Sequence, residues 1–107
     1  LTTGSPGGST IITIVLQVVL NVLTFEMGIA EATAAPRIHH QWLPDRIFVE
    51  SGISKDTLNI LEMMGHKLSQ RQSIMGSTQS IQKGPGVSIF GASDLRRDGA
   101  AAVPQRK

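Results

Sequence analysis

The feature that most constrains this chain is the stretch 11–25, IITIVLQVVLNVLTF, in which nearly every position is apolar. A helix that is apolar almost all round has to be enclosed by protein or by lipid. Its polar exceptions, Thr13, Gln17, Asn21 and Thr24, recur at spacings of four, four and three, and so form one thin stripe along a helical face. Crossing a bilayer takes about 20 apolar residues. This run is shorter, carries four polar side chains and begins in a glycine turn rather than an interfacial anchor. The expectation is a helix buried between protein layers, with no membrane span.

The flanking residues extend this reading. Gly4-Ser5-Pro6-Gly7-Gly8 is turn chemistry, after which Ser9 or Thr10 is placed to cap the helix. Residues 26–35 read as a second short helix after a break at Gly28, stopped by Pro36 because proline cannot continue the hydrogen-bond ladder. Strands are expected over 37–43 and 46–50, separated by Pro44-Asp45, with Ile47 and Val49 facing opposite to Arg46, Phe48 and Glu50. Ser54 reads as the N-cap of a surface helix over 55–64, with Leu58, Leu61 and Met64 as its stripe and Gly65 as its stop. Strands follow over 67–73, 77–82 and 87–91, the last two joined as a hairpin by Gly84-Pro85-Gly86. The order has no internal repeat and defines an α+β pattern.

A chain of 107 residues fits one small domain. At that size about two-thirds of the unfolded chain's surface is buried on folding. Hydrophobic residues make up 40% of the chain and aromatics 4%, so the core is expected to be aliphatic. The elements do not close a core around the apolar helix, which would stand half exposed, so the chain is expected to need the rest of a longer protein. The absence of an initiating Met and of a basic leader before Leu1 points the same way.

Net charge is +2, with residues 1–95 holding six Lys/Arg against seven Asp/Glu and residues 96–107 holding four against one. The basic groups are neither gathered on one helix nor interleaved with aromatics, which argues against nucleic acid as a partner. Without cysteine there is no disulfide, thiolate metal site or thiol nucleophile.

Chemistry is best placed at Gly7-Gly8, where two unhindered backbone N–H groups next to a helix start favour negative charge, including a developing oxyanion. Taken alone, Pro-Gly-Gly is more often a plain glycine turn. The glycines match neither a dinucleotide fingerprint nor a P-loop, so no cofactor is expected. Thr2 and Thr3 suggest an N-terminal threonine nucleophile, but neither is terminal, and threonine before a turn is ordinary. His39 and His40 are adjacent and would point to opposite faces of a strand, while His66 follows a helix stop, so no metal is expected. Asp94-Leu95-Arg96-Arg97 can be drawn as a charged turn binding an anionic substrate, although such runs are more often solvated. Met63, Met64 and Met75 read as packing residues.

GSPGGS at 4–9, EATAAPRIHHQWLPD at 31–45, MGSTQSI at 75–81 and FGASD at 90–94, in this order and spacing, resemble the gamma-glutamyltranspeptidase family over residues 4–97. The resemblance implies an N-terminal nucleophile hydrolase, a four-layer αββα sandwich built from two subunits cut from one precursor. This chain would be an incomplete part of it, the C-terminal portion of the small subunit over 1–97, followed by a mobile basic tail over 98–107. Its partners would be the large subunit and the remainder of the small subunit. The substrate would be glutathione or another gamma-glutamyl compound, whose glutamyl group passes to water or an amino acid through an acyl-threonine.

The threonine nucleophile would lie outside the chain, leaving Gly7 and Gly8 as the oxyanion hole and the isolated chain inactive. Family habit implies a periplasmic or extracellular setting. Leu95 departs from the family's usual Asp-Pro-Arg and puts the rigidity of that turn in question; the tail ending also departs. The alternative is an inactive truncated paralogue serving as a structural or interaction module.

Overall fold

The computed structural model describes residues 1–70 and 74–102. Strand β1 (Thr2–Gly4) runs into a single 3-10 turn over Gly8–Thr10, and α1 (Ile11–Leu23) continues from it. Next come α2 (Ile29–Ala34), β2 (Ile38–His39), β3 (Ile47–Val49), α3 (Lys55–Met63), β4 (Leu68–Gln70), β5 (Gln79–Lys83) and β6 (Ile89–Ser93). One sheet has the order β1-β5-β6, all antiparallel, and the other the order β2-β3-β4, in which β3 and β4 are parallel. The α+β reading and the β5–β6 hairpin therefore hold. The strand expected over 67–73 is seen for Leu68–Gln70, and its residues 71–73 lie outside the described residues.

α1 is the spine of the structure. Ile14 and Val18 are wholly buried and Val22 nearly so, a spacing of four that presents one apolar face inward. Val22 joins Ile29 and Ala32 of α2 and Ala92 of β6 in the core cluster, with Met27 packed against it. Three of the four residues of the polar stripe have partners off the helix, and Thr24 is exposed. Thr13 Oγ1 meets His39 Nδ1 at 2.7 Å, and the Gln17 amide both donates to the Ile38 carbonyl (2.8 Å) and accepts from the Ile38 N–H (2.9 Å). Asn21 Nδ2 donates to the Ala32 carbonyl at 3.4 Å. Gln17 thus takes the place of a strand neighbour at the Ile38 backbone of β2, while Thr13 meets the His39 side chain and Asn21 reaches α2, which explains polar groups in an otherwise apolar helix.

The opposite face of α1 exposes Ile12 (76%), Leu16, Leu20 and Leu23 (67%). The radius of gyration is 15.4 Å, with extents of 56 × 25 × 21 Å. A compact chain of this length would have about 13 Å. Among the described residues, no helix is long and apolar enough to cross a membrane.

Local signals account for most element ends. The Ser54 side chain accepts the Thr57 N–H at 3.2 Å and caps α3, and Gly65 (φ 95°) ends it. The expected cap of α1 is not made. Thr10 turns its hydroxyl back to the Gly7 carbonyl (2.7 Å), and the helix starts through the 3-10 turn instead. α2 is shorter than expected because Gly28 is extended and serves as its N-cap, while the Met27 N–H closes back on the Asn21 carbonyl at 2.9 Å.

Candidate active site

Gly7 has φ 145° and Gly8 φ 58°, both in the region that favours glycine. A Cβ on Gly7 would lie 2.6 Å from Thr10 Oγ1, so this residue is fixed by space as well as by dihedral. The Gly7 carbonyl accepts from Thr10 N (3.2 Å) and Thr10 Oγ1 (2.7 Å). The N–H groups of Gly7 and Gly8 have no acceptor among the described residues, and both residues are exposed. The turn thus brings together two adjacent free donors at the start of a 16-residue helical run from Gly8 to Leu23. Backbone dipoles aligned along that run add positive potential at its first turn.

The turn rests on the segment 75–78. Ser5 Oγ accepts the Ser77 N–H at 3.0 Å and donates to the Pro6 carbonyl at 2.8 Å. Ile14 lies against both glycine positions, 7 and 76.

Beneath that segment is a buried charge network of Arg37, Glu50, Asp94 and Arg96, two cations and two anions. Arg37 pairs with Asp94 Oδ2 at 2.7 Å and donates to the carbonyls of Met75 (2.7 Å) and Thr33 (2.8 Å). Arg96 grips Glu50 in bidentate fashion through Nε (2.9 Å) and Nη2 and pairs with Asp94 Oδ1 at 3.1 Å. Glu50 also accepts the N–H groups of Met75 and Arg37, each at 2.9 Å, and Asp94 accepts that of Thr78 at 2.8 Å.

Burial alone would raise the carboxyl of Glu50, but the Arg96 guanidinium and the Met75 and Arg37 N–H groups hold it below the ordinary value. Asp94 is likewise lowered against burial, by the Thr78 and Arg96 N–H groups and Arg37. Burial lowers Arg37, whereas Arg96 is raised because Glu50 and Asp94 outweigh its burial.

Within the charged turn 94–97, Asp94 and Arg96 are therefore neither solvated nor free to bind an anion, since Asp94 is 1% exposed and Arg96 is consumed by its partners, whereas Arg97 is exposed. Asp94 Oδ1 accepts the Arg96 N–H at 3.0 Å, which closes the turn without a proline, and Leu95 points outward at 90% exposure. The departure at Leu95 thus falls where no ring is needed. Sequence spacing did not single out Arg37, Glu50 or Thr78.

The other candidates do not converge on the glycine turn as chemistry. Thr2 and Thr3 lie in β1, with Thr3 Oγ1 on Ser80 Oγ at 2.7 Å. His39 is buried, held by Thr13 and by Gln41 Oε1 (2.9 Å) and stacked on Phe48, whereas His40 faces Asp45 at the surface. Gln41 Oε1 also accepts from Ser9 Oγ at 3.0 Å, tying the His39 loop to the first turn of the helix. Among the described residues no cluster of His, Asp or Glu is arranged to hold a metal. Met63 at the end of α3 and Met64, its C-cap, are exposed, while Met75 is buried. A cavity of about 430 Å³ against β1, β5 and β6, walled by Ala100–Ala102, holds no titratable side chain.

Compared with known structures, the chain superposes on N-terminal nucleophile hydrolases. It matches the gamma-glutamyltranspeptidase from Pseudomonas nitroreducens complexed with L-DON at TM-score 0.88 and 36% identity, covering 96% of this chain and 54% of that one. The T380A mutant of the Helicobacter pylori gamma-glutamyltranspeptidase matches at TM-score 0.83 and 43% identity, over 89% and 53%. The gamma-glutamyltranspeptidase family model matches residues 1–104. The chain is 57% identical over 96 residues to the glutathione hydrolase proenzyme of Escherichia coli (strain K12), covering 90% of this chain and 16% of that protein. The chain belongs to the gamma-glutamyltranspeptidase family, and it spans about a sixth of the length of that curated relative.

Proposed function

We propose that the chain is the C-terminal part of the small subunit of a gamma-glutamyltransferase or glutathione hydrolase, and that it contributes the oxyanion hole. The observation that carries this reading is the pair of unspent Gly7 and Gly8 N–H groups at the first turn of a helix. A threonine hydroxyl from the remainder of the small subunit adds to the carbonyl of a gamma-glutamyl amide such as glutathione, and its oxygen becomes anionic. The two N–H groups receive that oxygen. Collapse expels the amine and leaves an acyl-threonine, and attack by water or an amino acid passes through a second oxyanion at the same donors. The large subunit completes the substrate site. The related proenzymes support a precursor that is cut before it acts.

The test is a full-length precursor carrying Gly8→Ala. No atom lies within 4 Å of the added methyl, but φ 58° is strained for alanine, so the N–H is kept and its direction shifts. Loss of one oxyanion donor costs about 100- to 1000-fold in kcat. The expected outcome is a fall in kcat toward that range on a gamma-glutamyl anilide with KM little changed, since the contact forms only in the transition state. An unchanged kcat refutes the assignment.

A further inference from the structure

The oxyanion-binding turn is not self-supporting, and what lies against it is unusually specific. Gly76 has φ 70°, and a Cβ there would run into Ser5 Oγ, come within 2.7 Å of Ile14 Cδ1 and lie 3.0 Å from the Pro6 carbonyl oxygen. Only a residue without a side chain lets the 75–78 segment approach the Ser5-Pro6 backbone this closely. At the contact, Ser5 Oγ accepts the Ser77 N–H (3.0 Å) and donates to the Pro6 carbonyl (2.8 Å), one residue before Gly7.

The segment is itself anchored at both ends by buried charge. Met75 is held through its N–H by Glu50 (2.9 Å) and through its carbonyl by Arg37 (2.7 Å). Thr78 is held through its N–H by Asp94 (2.8 Å) and through its hydroxyl by Arg37 (3.0 Å). A rigid base, a side-chain-free contact and one two-sided hydroxyl therefore stand in series behind the free N–H groups.

We propose that Ser5 and Gly76 are positioning residues for the reaction: they seat the Gly7-Gly8 turn on the 75–78 segment and so fix the direction of its two N–H groups. The proposal rests on the oxyanion-hole reading above. Neither residue touches the reacting atoms. Their effect runs through the aim of the donors, and a misplacement of about 1 Å costs on the order of 100-fold in rate.

The experiment uses the full-length precursor and compares Ser5→Ala, Ser5→Thr and Gly76→Ala with Gly8→Ala, with kcat normalised to active sites by acyl-enzyme burst. The expected result for Ser5→Ala is a fall in kcat of about 5- to 100-fold with KM within about twofold. Ser5→Thr, which keeps the hydroxyl, recovers most of the loss, and Gly76→Ala loses at least as much as Ser5→Ala. A purely structural serine would instead lower the melting temperature and leave kcat per active site unchanged, which overturns the proposal. A Gly8→Ala effect without a Ser5→Ala effect overturns the positioning role alone. A parent-like Gly8→Ala overturns the oxyanion reading and the positioning role together.

Discussion

Asp94→Asn is the sharpest perturbation of the buried network, because it changes charge and hydrogen-bond polarity while leaving size almost untouched. Both carboxylate oxygens of Asp94 face donors. Oδ2 receives the Thr78 N–H at 2.8 Å and Arg37 Nη2 at 2.7 Å, and Oδ1 receives the Arg96 N–H at 3.0 Å and Arg96 Nη1 at 3.1 Å. An asparagine offers one carbonyl oxygen, so in either orientation its NH2 group is turned against two donors. Removing one partner of a buried ion pair costs about 3–5 kcal/mol. At about 1.36 kcal/mol per decade this raises the local opening constant by roughly a hundred- to several-thousand-fold.

The assay is hydrogen–deuterium exchange on the full-length protein, following peptides across 74–80, with the middle of α1 as internal reference. Faster exchange of the Thr78 amide by two or more decades is expected. Leu95→Ala is the control, since Leu95 is 90% exposed and such surface changes fall within about ±0.5 kcal/mol. Exchange at 74–80 within threefold of the parent would refute the claim that this network holds the segment.

Acid provides a second probe of the network. Glu50 and Asp94 are both lowered in the folded chain, whereas unfolded carboxyls titrate at about 4.3 and 3.9, so the unfolded state binds more protons and stability rises with pH across that window. Their contribution is present in full above about pH 5 and is lost as pH falls below about 4 toward the lowered folded values. Urea midpoints of the full-length protein between pH 3 and 6 should show this slope, and Asp94→Asn should flatten it. A flat parent profile contradicts the network's role. Ile14→Ala removes a side chain with 0% exposure packed against both Gly7 and Gly76. Such truncations cost about 2–5 kcal/mol, and the loss should appear as a lowered denaturation midpoint together with a reduced kcat. A loss under 1 kcal/mol would show that the pocket refills.

Helix α1 was legible because its order is local: the stripe at Thr13, Gln17 and Asn21 follows the helical period, and the structure gives each polar group a partner on β2 or α2. Gly7 and Gly8 were legible because positive φ and glycine go together. The buried charges were not. Strand alternation sets Glu50 on the face opposite to Ile47 and Val49, but β3 ends at Val49 and the Glu50 carboxylate meets Met75, 25 residues away, and Arg96, 46 away. No spacing rule reaches across such separations. The available hint was the company these charges keep, Arg37 after Ala34-Ala35-Pro36 and Glu50 after Ile47-Phe48-Val49, where apolar and small neighbours give a charge little access to water.

Sheet order has a consequence for how the protein is made. β1 pairs with β5, and Thr3 bonds to Ser80, 77 residues further along the chain. At a ribosomal pace of about 5–20 residues per second, that partner arrives roughly 4–15 seconds after β1. Throughout this interval the edge of β1 that β5 comes to cover lacks that strand, and the glycine corner lacks the 75–78 segment on which it rests. A synthesis pause before residue 83 would lengthen the wait and increase the fraction captured by chaperones or lost to aggregation.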